Sequence, residues 1–75
     1  MEHFNEWLKS NKGMELRSAR DVQSRIKRVQ GLMQRNQIDE NTLTILEDNE
    51  GFRKLSITVK SQLRRSVRLY LEFIK

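Results

Sequence analysis

The sequence predicts an all-α fold, four helices in one compact domain, and three observations predict it. Proline is absent and glycine occurs only three times, so helix breakers are scarce. Apolar residues recur at spacings of three and four, and the strict alternation of a half-buried strand is hard to find. Start and stop residues punctuate that pattern: Ser18, Asp39 and Ser56 ahead of apolar runs, Gly13 and Gly51 behind them.

The first helix is expected over residues 2–10. Phe4, Trp7 and Leu8 share one face, and Asn11, Lys12 and Gly13 form the stop. Trp7 reads as a core anchor. The second is expected over residues 18–35. Ser18 stands three residues before Asp21, close to a capping box. Val22, Ile26, Val29 and Met33 then fall within about 60° of one another at 100° per residue. Arg20, Lys27, Arg28 and Arg35 project to the other half. The third helix is expected over residues 39–49, with Asp39 as N-cap, a weak apolar edge of Leu43, Ile45 and Leu46, and Gly51 as its C-terminal stop. Glu47, Asp48 and Glu50 crowd the end of this helix that its dipole disfavours for anions. Residues 52–55 form a connector. The fourth helix, residues 56–74, is capped by Ser56. Val59, Leu63, Val67, Tyr70, Leu71 and Ile74 make a core stripe about 120° wide. Lys60, Arg64 and Arg68 line up beside it, Arg65 points further out, and Leu69 and Phe73 fall on the side away from the stripe.

Residues 1–75 form a single domain, without repeats, low-complexity runs or internal linkers. A chain of this length buries about 60% of its unfolded surface, so its stability is a few kcal/mol. Its charge is segregated. The net charge is +5, yet residues 17–35 and 51–75 are strongly basic while residues 36–50 carry acids and no cation. A basic balance in so small a domain favours a polyanionic partner. Pairing between the acidic and basic segments explains part of the pattern, and such exposed pairs contribute only about 0–1 kcal/mol each.

Several chemistries have no residues to carry them. Cysteine is absent and His3 is the single histidine, so neither a disulfide framework nor a transition-metal site is expected. No EF-hand, glycine-rich phosphate loop or HExxH motif occurs. Ser18, Asp39 and Ser56 are accounted for as caps, and Tyr70 as a core tyrosine, which leaves no catalytic constellation. We expect no enzyme activity, no cofactor and no small-molecule substrate. No apolar run is long enough to span a membrane, and the acidic N-terminal stretch is not a signal peptide, so the cytoplasm is the expected location.

Two stretches carry a resemblance. "FNEWLKSNKGMELRSARDVQSRIKRV" has an aromatic "F..WL", a short loop, then a helix bearing Ser18, Val22, Ile26 and Val29. "LSITVKSQLRRSVRLYLEFI" supplies Leu55, Ser56, Val59, Leu63, Arg64, Val67, Arg68, Tyr70, Leu71 and Phe73. Together they resemble the N-terminal core-binding domain of phage-integrase-type tyrosine recombinases, a small SAM-like helical bundle. The resemblance covers nearly the whole chain, mostly through apolar positions. It implies half of a clamp around duplex DNA, with the second and fourth helices approaching the major groove and phosphates, in recombination by a phage or mobile element. The family's catalytic domain is not in this sequence, and Tyr70 does not match its nucleophile. The chain fits either a domain cut at its boundary or a small protein complete in itself.

The expected partner is therefore duplex DNA, met by Arg20, Lys27, Arg28, Lys60, Arg64, Arg65 and Arg68. A partner protein or a catalytic domain acting with it is also compatible. The alternative is a protein-interaction module with a solvated basic surface, docking through Leu69 and Phe73. That pair is equally suited to covering the first helix.

Overall fold

Helix α1 (Glu2–Lys12) brings Phe4 and Leu8 into the interior, with Trp7 half-buried beside them. In the computed structural model, which describes residues 2–75 and side chains from His3 onward, four more helices follow: α2 (Leu16–Met33), α3 (Thr42–Asp48), α4 (Glu50–Arg53) and α5 (Ile57–Ile74). The described residues contain no strand. The radius of gyration is 11.9 Å, close to the roughly 11 Å of a packed chain of this length. The all-helical, compact architecture is as expected, with five helices in place of four.

Helix boundaries depart from expectation where the turn chemistry lies in the backbone. Gly13, at φ 62°, reverses the chain after α1, and the Met14 N–H donates back to Leu8 O at 3.3 Å. Glycine adopts this conformation without a Cβ clash. The chain then re-enters a helix at once. Glu15, extended at φ −70° and ψ 158°, is the N-cap of α2 and makes no side-chain cap bond. Ser18 therefore lies inside the first turn rather than capping it, and the capping box with Asp21 does not form.

At the other end of α2, Gln34 takes the left-handed conformation at φ 55°. Its N–H donates to Gly31 O at 3.3 Å and that of Arg35 to Gln30 O at 3.1 Å. This is the paired closure of a Schellman motif, made by glutamine where glycine is usual. Arg35 consequently falls outside the helix and pairs with Asp39 at 3.7 Å.

Asp39 is not the cap of α3. Its Oδ1 accepts from Asn41 N–H at 2.9 Å, and its own N–H donates to the buried Thr42 Oγ1 at 2.8 Å. These bonds shape the turn ahead of the helix, which begins after Asn41. Nor does Gly51 end α3. Asn49 does, by turning extended at φ −74° and ψ 124°, and it then caps α4 with Oδ1 accepting from Phe52 N–H at 2.9 Å. Its Nδ2 donates to Leu32 O at 2.8 Å, which ties α4 to the end of α2. Gly51 sits inside α4 where a Cβ would lie 3.0 Å from Leu32 Cδ2, so its role is a close approach. Phe52, expected in a connector, is a fully buried core residue. Ser56 caps α5 as expected, accepting from Val59 N–H at 3.2 Å.

The core joins Phe4 and Leu8 of α1, Ala19, Val22, Ile26 and Val29 of α2, and Ile38, Leu46 and Phe52 to Leu63, Val67 and Leu69 of α5. Helix α5 packs against α1, α2 and α3, which sets its buried arc. Leu69 is only 8% exposed, and the Phe73 ring lies 5.2 Å from that of Phe4 and 5.7 Å from that of Trp7. Tyr70 completes this aromatic cluster edge-on to Phe4 at 5.1 Å. Of the docking edge expected at Leu69 and Phe73, Leu69 is thus buried and Phe73 packs on the aromatic residues of α1. Ile74, expected in the core stripe, is 49% exposed, because the buried arc is rotated toward α1.

Candidate nucleic-acid interface

The seven cations expected to meet DNA stand on α2 and α5, two helices in direct contact. On α5 the buried arc leaves an outer strip carrying Arg64, Arg65 and Arg68, with Lys60 half-buried at its start. Ser56 fixes the helix start and the Leu63–Val67 packing fixes its rotation, so the cations project from a rigid element. On α2, Arg20, Lys27 and Arg28 are exposed, opposite the buried Val22, Ile26 and Val29.

Of the seven cations expected to meet DNA, one is engaged internally. Arg64 donates from Nε to Glu47 Oε1, and from Nη2 to Glu47 Oε2 at 3.0 Å. The two bonds form a bidentate guanidinium–carboxylate pair between α5 and α3. The same guanidinium lies 5.3 Å from the centroid of the Phe52 ring, a cation–π distance. Arg64 is thus a clasp over α3 and α4, and half-buried. Its hydrogen bond holds the Glu47 carboxyl below the usual carboxylate range, and the charges of Arg64, Lys60 and Arg68 act the same way. Glu47 in turn pushes Arg64 up.

The other six, Arg20, Lys27, Arg28, Lys60, Arg65 and Arg68, form no ion pair among the described residues. The remaining paired acids meet other cations: Glu72 binds Lys12 at 2.8 Å, Asp39 meets Arg35 at 3.7 Å, and Glu50 approaches Lys54 at 4.0 Å. The acidic segment therefore neutralises one member of the α5 row and leaves most of the basic surface uncompensated.

The seven do not all face one way. At 100° per residue, Arg20 and Lys27 lie within about 20° of each other on one flank of α2, and Arg28 lies about 80–100° further round. Arg25, which the sequence reading did not select, is about 60° beyond Arg28 and lines a groove with Arg65 of α5. The groove joins the Arg25–Arg28 flank of α2 to the Arg65–Arg68 strip of α5. Arg25 was legible only through the contact between the two helices, because its position on the wheel is neither core nor outermost.

No metal-binding cluster of three or more histidine or acidic residues occurs among the described residues, and no described helix is long and apolar enough to cross a membrane. His3 is exposed. Comparison with protein-family profiles, with curated proteins and with solved structures found no match.

Proposed function

We propose that this chain is a DNA-binding module that grips the phosphate backbone of a duplex through the outer surfaces of α2 and α5, with no catalysis, metal or cofactor of its own. The observation that carries this reading is the uncompensated charge: six of the seven expected cations on two adjoining helices have no internal ion pair. Charge left unpaired on rigid elements is what phosphate contact requires. The resemblance to the SAM-like core-binding domain of tyrosine recombinases supports the same two helices. In that reading the module works in the cytoplasm, beside a catalytic domain, in recombination of phage or mobile-element DNA. Phosphate contacts set position on the duplex, and any arginine reaching a guanine edge adds specificity.

The docking alternative has less behind it, since Leu69 is buried and Phe73 packs against Phe4 and Trp7 of α1. The test is a Lys60→Glu/Arg68→Glu variant titrated against duplex DNA. It leaves Arg64 and Glu47 themselves unchanged, and a denaturation curve matching that of the wild type shows that loss of binding reports the surface and not the fold. Binding equal to that of the wild type would refute the assignment.

A further inference from the structure

We propose that the groove between α2 and α5 seats a single backbone phosphate between Arg25 and Arg65. The inference rests on the DNA-binding reading above and extends it by a discrete subsite and one further residue. The groove, about 240 Å³, is lined by Met14, Ser18, Asp21, Val22, Arg25 and Arg65. Two arginines, one from each helix, thus line one small space. Neither makes an ion pair or a hydrogen bond to another group among the described residues.

What sets these two apart from the other unpaired cations is that they line one groove. Lys12, Arg35, Lys54 and Arg64 each have a carboxylate within 4.0 Å. Asp21 lines the same groove one turn before Arg25, at the spacing where helical ion pairs form. No such pair is made, so the donors of both arginines stay unspent. An anion in a groove lined by two cations from adjoining helices is attracted to both. A phosphodiester suits the space in charge and in geometry, because the guanidinium fork donates two N–H groups to phosphate oxygens. Ser18 adds a hydroxyl-bearing residue to the lining, and Val22 and Met14 add apolar ones. Asp21 opposes the anion and sets a limit on affinity. A second groove, beside Leu71 and Ile74, is lined by Asp39 and Glu40 together with the cation Lys75, and suits phosphate less.

The experiment is fluorescence anisotropy of a labelled mixed-sequence duplex titrated with the full chain at about 50 mM and about 200 mM salt. Arg25→Gln and Arg65→Gln each weaken binding several-fold at the lower salt. The double variant weakens it by less than the product of the two and lowers the salt slope by about one, the signature of one shared phosphate. Asp21→Asn tightens binding, a gain that damage to the fold would not give. Lys9→Gln removes an equal charge from α1, outside the groove, and measures the general electrostatic loss. If Arg25→Gln and Arg65→Gln lose no more than Lys9→Gln while Lys60→Glu/Arg68→Glu abolishes binding, the phosphate seat is overturned and the DNA-binding reading stands. If the wild type binds no duplex at the lower salt, both are overturned.

Discussion

Gln34 closes α2 in a conformation that suits glycine, at φ 55°. An L-residue with a Cβ is strained there by roughly 1 kcal/mol. Gln34→Gly should therefore raise stability by up to about 1 kcal/mol, read from chemical denaturation, since no other contact of Gln34 is at stake. Asn49 is the opposite case, a residue on which two elements depend. It caps α4 and donates to Leu32 O, so Asn49→Ala should destabilise the fold by about 1–3 kcal/mol in the same measurement. The Glu47–Arg64 clasp predicts a pH dependence. Because the Glu47 pKa is lowered in the folded chain, its contribution is present above the ordinary glutamate range, near 4.3, and is lost as pH falls through the depressed folded value. A Glu47→Gln variant should accordingly show a shallower loss of stability between about pH 6 and about pH 3 than the wild type.

At the scale of elements, α5 shows what periodicity can and cannot reveal. Its start at Ser56 and its buried Leu63 and Val67 were legible, because a cap residue and a 3.6-residue period are local signals. The burial of Leu69 and the packing of Phe73 on α1 were not, because they depend on neighbours lying against a second side of the helix. A single-stripe reading assumes one neighbour, and α5 has several. Leu69→Ala should then behave as a core truncation and destabilise by about 2–4 kcal/mol, where a solvent-facing leucine would change stability by less than about 0.5 kcal/mol. Helix α4 was missed because four residues carry no period. The clue that existed was Asn49 three residues ahead of Phe52, the spacing of a cap and the N–H it accepts. The starts of α2 and α3 were misplaced for a related reason. Glu15 and Asn41 precede helices without a side-chain cap bond, and Ser18 and Asp39 were the better caps by residue type alone.

Across the whole molecule, the segregation of charge along the chain becomes a distribution over a folded surface. The acidic segment folds into the turn before α3, α3 itself and α4, and reaches the basic row of α5 at one point, Glu47. The basic row was visible in the sequence, whereas the pairing of Arg64 with a residue 17 positions away was not, since it depends on how α3 docks on α5. A duplex approaching Lys60 and Arg68 therefore meets Glu47 as well, and the phosphate contacts fall to the remaining cations. With about six contacts, the affinity for duplex DNA should fall with salt along a log–log slope of roughly −5. That slope, measured by titrating a mixed-sequence duplex across a series of salt concentrations, tests the central claim most directly. Tight binding at low salt that weakens along a slope near −5 is the predicted result. Undetectable binding at low salt, or an affinity indifferent to salt, would contradict it.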